Sequence, residues 1–585
     1  MRASKFDLPN NTGHAIIKKN KKGVKRVISI NKKKYPAWAE PAASLAIFAF
    51  SLPLLYLLSR IDFDPHHTGL MLKAALDVAN GKLLFAETFT QYGALTTWIQ
   101  AFFVKLMSTS VTSILFATCL FYSLSYLLLF RVARRFLDLP LSLLTTFVTI
   151  LLAPFYMWEF NPWSSVFALF FLLLSLLSLF WALESQKRWK SAVFTPVSGL
   201  FISLAFWCRQ PAGIVAAFAG ILFFAIVACL LRKEKALCLK YLTHLALLLI
   251  GLAVGFFMLL IPILATGAWT DFVTQSIQGM FTFAADRATA SDDGVGSILA
   301  NLLSHLFLKP IQKTDELPVL NGIWILLPLF VIALAILTLF GLIRSAKSKK
   351  IDEFERRLPT LAYVLFAGCA WHQYYPVACY RHWYWGAFLC APAAVIVLHE
   401  LINFLATRPK CKWLSQKNRC TCALFAALAL LFLPNVGARA VYGASKIVGT
   451  SQMVKFENAN YDHLNGIYLD EEMALYYNDL FDTVHDLLAK HPEKNVINLT
   501  QNGIYAVFGE NFHPMFINTE DFYYADYPDV TLDYIAKNRP IVIAPEAPCA
   551  DYVLYHVIPG DHGDPTAQYH HMPAYIFLPA ELCRQ

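Results

Sequence analysis

Asp62, Asp64, His66 and His67 fall within six residues of one another, in the stretch Arg60-Ile61-Asp62-Phe63-Asp64-Pro65-His66-His67. Two carboxylates and two imidazoles at that spacing can move protons or bind a cation, and they are poor material for packing. Asp64-Pro65 reads as a helix start, with Asp64 as N-cap and Pro65 at the first helical position, where its missing N–H costs nothing. Gly81 supplies the stop. One reading of the four residues ends there: Asp64 caps, and the histidines decorate the first turn. The other makes Asp64, or Asp62 two residues earlier, a general base, because a carboxylate held by helix N–H groups stays ionised and fixed. In an extended segment Asp62 and Asp64 would project to the same side. His66 and His67, near the positive helix end, are biased toward the neutral form that donates, accepts or binds a metal. A divalent metal is the cofactor such a pair would take, although two adjacent imidazoles fall short of a ligand set.

The elements that must position these groups are membrane spans. Of the 585 residues 57% are hydrophobic and 15% charged, against roughly 25% charged in soluble domains. The net charge of +9 sits in short segments between apolar runs, which argues for membrane orientation and against nucleic-acid binding. The first 39 residues are polar and basic with no early apolar core, so the first apolar run is expected to stay as a signal anchor. Runs long enough to cross a bilayer lie near 41–58, 111–130, 139–157, 163–183, 193–208, 212–231, 241–265, 321–343, 358–371, 384–406 and 419–436, about eleven spans, with 193–208 and 358–371 short.

The basic residues test that count. With the N-terminus inside, the segments 1–39, 131–138, 184–192, 232–240, 344–357 and 407–419 carry 32 of the 49 Lys and Arg, and the outside loops carry nine. Every short basic loop then falls on one side, as the positive-inside rule requires. The chain divides into a cytoplasmic tail, 1–39, a transmembrane region, 40–436, whose first outer loop is 59–110, and an exported region, 437–585. Within the outer loop two amphipathic helices are expected to lie along the membrane surface. The first presents Lys73, Asp77 and Asn80 on one face, and the second, 94–107, presents Ile99, Phe102, Phe103 and Leu106. In the exported region Val496–Leu499 and Ile541–Ala544 read as short buried strands and Glu471–Leu488 as a helix, hence a small α/β domain. Its two cysteines, Cys549 and Cys583, are open to a disulfide if the region is exported, and none of the 12 cysteines has zinc-type spacing.

Cations lie on the same expected face. Arg209 stands in a tight turn before Pro211 and Gly213, either snorkelling or binding a phosphate through its fork. Arg381 and His382 belong to a short loop rich in aromatic and cationic groups, either an interfacial belt or a second phosphate ligand set.

At these residues the chain resembles the polytopic GT-C glycosyltransferases, the group that includes the lipid A aminoarabinose transferase, the rhizobial lipopolysaccharide transferases and the protein O-mannosyltransferases. The resemblance rests on the acidic pair Asp62/Asp64 in the first outer loop, the pattern Asp64…Ala74…Gly81-Lys82-Leu83-Leu84-Phe85, the flanking surface helices, the span count and an exported C-terminal domain. One departure is that the common Asp-Glu pair is here Asp64-Pro65, with the second carboxylate upstream at Asp62. The resemblance implies a helical GT-C-like fold and transfer, with inversion, of a sugar from a polyprenyl-phosphate-linked donor to a lipid, glycan or protein acceptor. It implies chemistry on the outer face of the cytoplasmic (inner) membrane, in cell-envelope or lipopolysaccharide synthesis. It also marks Glu159, in the brief loop Tyr156-Met157-Trp158-Glu159-Phe160-Asn161, as a second acid, where an exposed loop residue is the alternative. The chemistry agrees: the acceptor hydroxyl needs a base behind the anomeric carbon, and the leaving phosphate needs positive charge. The rival from another class is a transporter or flippase of a lipid-linked precursor. Such proteins favour inverted repeats and ionisable groups near mid-span, and the sequence shows neither.

Overall fold

The structure is a computed structural model that describes residues 35–90, 92–279, 300, 303–312, 318–375, 379–408, 411, 416–500, 502–508, 527–560 and 573–584. Residues 1–34 of the basic tail and, within the loop 266–320, residues 280–299, 301–302 and 313–317 lie outside the described residues. The helices of eight residues or more before the sheet region are α1 (Ala39–Ser59), α2 (Pro65–Ala79), α3 (Ala94–Leu106), α4 (Val111–Phe136), α5 (Leu139–Leu151), α6 (Ser164–Glu184), α7 (Arg188–Cys208), α8 (Gln210–Leu230), α9 (Lys235–Ala265), α10 (Ile323–Lys347), α11 (Leu358–Cys369), α12 (Tyr380–Ala387), α13 (Ala391–Ala406) and α14 (Lys417–Gly449).

Every expected apolar run is therefore helical. Among the described residues eight helices are long and apolar enough to cross a membrane, and the pair α12–α13, bent by 57°, makes a ninth. α5 and α11 fall short: 13 and 12 residues rise only about 20 Å, against roughly 30 Å of hydrocarbon. α5 stops where Ala153-Pro154 turns the chain into a 3₁₀ segment, Pro154–Tyr156, so the run 139–157 is not one continuous helix. The family of the resemblance aside, the fold is a helical membrane bundle carrying a small C-terminal sheet.

The basic helix ends gather at one end of the bundle. Glu40 at the start of α1 pairs with Arg131 and Arg134 at the end of α4, Arg135 pairs with Glu184 at the end of α6, and Lys240 pairs with Glu355. The loop 59–110 and the turns after α5, α7 and α11 sit at the opposite end.

α14 continues through residue 436 and leads directly into the C-terminal region. That region holds the two-stranded ladder β1 (Val454–Lys455) and β2 (Tyr468–Leu469), α15 (Glu471–Lys490), β3 (Val496–Asn498), α16 (Tyr527–Asn538), β4 (Ile541–Ala544), β5 (Tyr552–Ile558) and β6 (Ala574–Pro579). The four-stranded sheet has the order β3-β4-β6-β5, with β3 parallel to β4 and the other pairs antiparallel. The strands and helix expected from the sequence are all present. Cys549 and Cys583 are exposed free thiols.

The loop 59–110 differs from expectation in two respects, the burial of α2 and the backbone of Asp62. α2 does not lie on a surface with a wet polar face: Lys73 and Asp77 are each 3% exposed. The Lys73 ammonium donates to Asp77 Oδ1 at 2.8 Å, the Thr88 hydroxyl donates to Asp77 Oδ2 at 2.8 Å, and Lys82 adds a contact at 3.0 Å. A buried ion pair persists only with its remaining lone pairs satisfied, and the turn after α2 satisfies them. The cover comes from α3, α4 and the C-terminal region. Gly69 of α2 meets the 3₁₀ turn Gly503–Phe508 so closely that a Cβ on Gly69 would stand 2.1 Å from the Gly503 carbonyl carbon. One hydrophobic core, containing Phe63, Leu72, Tyr477 and Leu480, runs without a break from the helical bundle into the C-terminal region.

Candidate active site

Asp64 is the N-cap of α2, as the sequence predicts: its backbone is extended, Oδ1 accepts the His67 N–H at 3.1 Å, and Pro65 opens the helix. Its other oxygen, Oδ2, is a meeting point. The His67 ring donates to it from Nδ1 at 2.9 Å, the Asn161 amide donates at 3.1 Å, and Arg381 Nη1 stands 3.6 Å away. Asp64 is buried, at 7% exposure. Burial alone opposes its charge, yet His67, Arg381 and the His67 backbone N–H outweigh it and hold the carboxyl well below the usual carboxylate range.

Arg381 is shared between two acids. Its Nη2 donates to Glu159 Oε2 at 3.0 Å while Nη1 faces Asp64. Three residues from separate connections, the first outer loop, the loop between α5 and α6, and the start of α12, thus form one Asp64–Arg381–Glu159 array.

Asp62 reaches the same region by a different route. It sits at φ +60°, in the left-handed region, so it does not project beside Asp64 as an extended strand would make it. The reason is a splint from the C-terminal region. The Asp62 N–H donates to the Tyr468 carbonyl at 2.9 Å and the Tyr468 N–H donates to the Arg60 carbonyl at 2.7 Å, after which the chain must turn back toward α2. Asp62 Oδ1 accepts the Phe63 N–H at 2.7 Å, and the Phe63 ring packs 5.6 Å from that of Tyr477. A non-glycine residue at positive φ costs about 1 kcal/mol, less for Asp and Asn and more for β-branched residues. Asp62→Gly should therefore retain the loop and lose only the carboxylate, whereas Asp62→Val should lose the loop as well. The protein's activity and its accumulation in the membrane, measured side by side, are expected to fall further in Asp62→Val than in Asp62→Gly. Equal losses would mean that the side chain, not the backbone, is what the site requires.

His66 is buried at 3% exposure, its ring edge-on to that of His67 at 4.7 Å. Among the described residues no set of three or more His, Cys, Asp or Glu side chains is arranged to hold a metal ion. The donor set therefore does not fit a resident metal, and the His67 imidazole is engaged with Asp64 instead.

Arg209 occupies the single residue between α7 and α8. Its Nη1 donates to Ser164 at 3.3 Å, its guanidinium lies 5.9 Å from the centre of the Tyr92 ring, and its Nε is buried with no hydrogen-bond partner among the described residues. His382 is buried in an aromatic wall: its Nδ1 bonds the Gln373 carbonyl at 3.0 Å, and Trp163 and Trp385 stand 5.5 and 5.4 Å away. It backs the site and does not line the Asp64–Arg381 array.

Four participants carry no role in the sequence reading. Asn161 joins Asp64 directly. Trp163 packs against His67, ring centres 4.5 Å apart and planes tilted by 50°, and donates its indole N–H to the Tyr92 hydroxyl. His372 bonds the Cys369 carbonyl through Nδ1 at 2.9 Å, and burial lowers it to about 4, so it is neutral with a buried Nε2 lacking a hydrogen-bond partner among the described residues. Lys446 of α14 donates to the Trp158 carbonyl at 3.0 Å. Asn161 and Trp163 stand two and four residues beyond Glu159, a proximity along the chain that is their only sequence signal. Lys446 has none, because it lies about 290 residues from the loop it touches.

Residues 93–258 match the family described as Dolichyl-phosphate-mannose-protein mannosyltransferase. Two solved structures overlay most of the chain. The archaeal oligosaccharyltransferase AglB of Archaeoglobus fulgidus, in complex with an inhibitory peptide and a dolichol-phosphate, is 12% identical, with 87% of this chain and 70% of that chain covered and a TM-score of 0.49. ArnT of Cupriavidus metallidurans bound to undecaprenyl phosphate is 11% identical, with 93% and 98% covered and a TM-score of 0.47. No curated protein sequence matches the chain. The family match encloses Glu159, Asn161, Trp163 and Arg209 and leaves Asp64, Arg381 and Lys446 outside it. The segment 93–258 is thus the part of this membrane protein that carries a glycosyltransferase family signature, that of the dolichyl-phosphate-mannose-protein mannosyltransferases.

Proposed function

We propose that the protein transfers a sugar, with inversion, from a polyprenyl-phosphate-linked donor to a lipid, glycan or protein acceptor on the outer face of the cytoplasmic membrane. The observation that carries this reading is the buried Asp64–Arg381–Glu159 array, assembled from three connections at the end of the bundle opposite the basic helix ends. The mannosyltransferase family match over 93–258 supports a lipid-phosphate sugar as the donor.

In this reading Asp64 is the base. A carboxylate held so far below its usual range is a weak base, which suits an oxocarbenium-like transition state. There the acceptor hydroxyl becomes acidic only as its bond to the anomeric carbon forms, and the proton leaves late. The rigid cap at His67 N–H fixes the direction from which Oδ2 receives it. Arg209 is the first candidate for the donor phosphate, since its bidentate fork, and an Nε with no hydrogen-bond partner among the described residues, suit a phosphate oxygen. Arg381 is committed to both acids, so a phosphate arriving there would compete with Asp64 and free its carboxylate for the proton. His372 Nε2 is an acceptor for a sugar hydroxyl. Glu159 and Asp62 support the array, and no step passes through a metal.

The test has two arms. Envelope glycolipids and glycoproteins compared by mass spectrometry with and without the gene should differ by one defined sugar. The purified protein should release sugar from at least one member of a panel of polyprenyl-phosphate-linked hexoses and pentoses. An unchanged envelope together with an inert protein would sink the proposal. Movement of an intact lipid-linked precursor across vesicles, with no sugar released, would replace it with the flippase reading.

A further inference from the structure

α14 carries a polar stripe on one face. Asn435, Arg439, Gly443 and Lys446 follow one another at spacings of four, four and three, so they align along the helix. All four face protein. Arg439 is fully buried, donates to Asn435 Oδ1 at 2.8 Å and lies 5.5 Å from the Trp324 ring. A Cβ on Gly443 would stand 2.6 Å from the Tyr156 ring. Lys446, at the outer end of the stripe, donates to the Trp158 carbonyl at 3.0 Å. An ionisable side chain turned inward from a membrane helix is costly and is retained for a purpose.

The surroundings of Lys446 indicate the purpose. The charged groups that act on its ammonium are Asp62 of the first outer loop, Glu159 of the loop after α5, and Arg381 of α12. Arg381 by itself must serve Asp64 and Glu159, at 3.6 and 3.0 Å. Asp62, Asp64 and Glu159 are three acids against one arginine, and Lys446 brings the cluster closer to neutral. Its hydrogen bond also fixes the residue just before Glu159 and, through the same short loop, Asn161 on Asp64 Oδ2.

Resting on the transferase reading above, we propose that Lys446 is a positioning residue of this site. It holds the 158–161 loop by the Trp158 carbonyl and takes up part of the field of Asp62 and Glu159, so that Arg381 and Asn161 stay on Asp64. Because α14 is the helix that leads into the C-terminal region, the attitude of that region and the geometry of Asp64 are coupled through this one side chain, in addition to the Tyr468 splint.

The experiment uses the full-length protein in lipid nanodiscs, with dolichyl-phosphate mannose first and then the other donors of the panel. Lys446→Met keeps the length of the side chain and removes its charge and donor. It should lower kcat by about 10- to 100-fold, the usual cost of losing an outer-shell partner, with the donor KM within about twofold of wild type. The acid limb of its kcat/KM profile should move to higher pH, since a loosened 158–161 loop weakens the hold of Arg381 on the Asp64 carboxylate, which favours its ionised form. Lys446→Arg, which can still donate to Trp158, should recover part of kcat and return the limb toward its original place. Lys446→Gln serves if the Met variant does not accumulate.

A raised donor KM with kcat kept would make Lys446 a donor ligand and overturn the proposal. So would a fall in rate with an unmoved acid limb, which a purely structural helix contact would give, and so would no change. A wild type inert toward every polyprenyl-phosphate sugar overturns the transferase reading and this inference with it. An active wild type with an unaltered Lys446→Met overturns the inference alone.

Discussion

Asp64→Asn is expected to lower sugar transfer by about 10²–10⁴-fold, the range for loss of a general base, with normal accumulation in the membrane. The substitution keeps the helix start and changes the partners of the second oxygen. The Asn carbonyl oxygen still accepts the His67 N–H at the helix start, and Pro65 still sets the first turn. What changes is the other oxygen. His67 Nδ1, Asn161 Nδ2 and Arg381 all present donors to Oδ2, and an amide nitrogen there would meet donors with donors. The wild-type carboxyl is held below its usual value, so its ionised form persists as pH falls through the ordinary carboxylate range near 3.9. The sign follows: a depressed folded-state value gives stability that is present at neutral pH and is lost only as pH falls through the folded-state value. The acid limb assigned to Asp64 should accordingly lie below pH 3.9. Near-normal transfer by a well-expressed Asp64→Asn protein would remove Asp64 from the base role. Loss confined to Asp62→Asn would transfer that role to Asp62.

Arg381→Gln should cost about 10²-fold in kcat/KM, comparable to removing one preorganised charge from a transition-state site. Arg381 is the one side chain that bridges Asp64 and Glu159 among the described residues, and without it two carboxylates face each other in a partly buried loop. Loss of the Arg381 cation raises the pH at which Asp64 is ionised, so the acid limb should climb in this variant. Arg381→Lys restores charge but not the fork that reaches two acids at once, and should recover only part of the loss. Steady-state kinetics with varied donor separate two roles. A fall carried by kcat assigns Arg381 to the acids, whereas a fall carried wholly by KM assigns it to the donor phosphate.

Much of this arrangement is legible in the sequence because it is local. Asp64 as N-cap, Pro65 at N1 and the Gly81 stop depend on residues a few positions apart, and the structure shows all three, with Gly81 at φ +94°. The apolar runs are visible because a bilayer demands roughly 20 consecutive apolar residues, and the basic loops between them, every second connection, all fall on one side. The C-terminal strands and α15 announce themselves by period and by apolar content.

Contacts across hundreds of residues are another matter. Nothing near Asp62 signals a left-handed backbone; that conformation follows from Tyr468, some 400 residues on, pairing with Arg60 and Asp62. The α2 face of Lys73 and Asp77 has the pattern of a wet helix, yet it is dry, because an ion pair completed by Thr88 and Lys82 looks the same in sequence as one completed by water. His382 and Arg381 are neighbours in the chain, but the helix turn sends one into an aromatic wall and the other to the acids. Lys446 lies beyond the apolar run 419–436, in a stretch that reads as the start of the exported region, and only the structure continues the helix to it. The sequence by itself determines which segments are helices, which ends are basic and which groups are chemically able to act, since these depend on composition and short-range spacing. Only the tertiary structure decides which of those groups meet, because the free energy that selects one partner among many comes from desolvation and direct contact between distant parts of the chain.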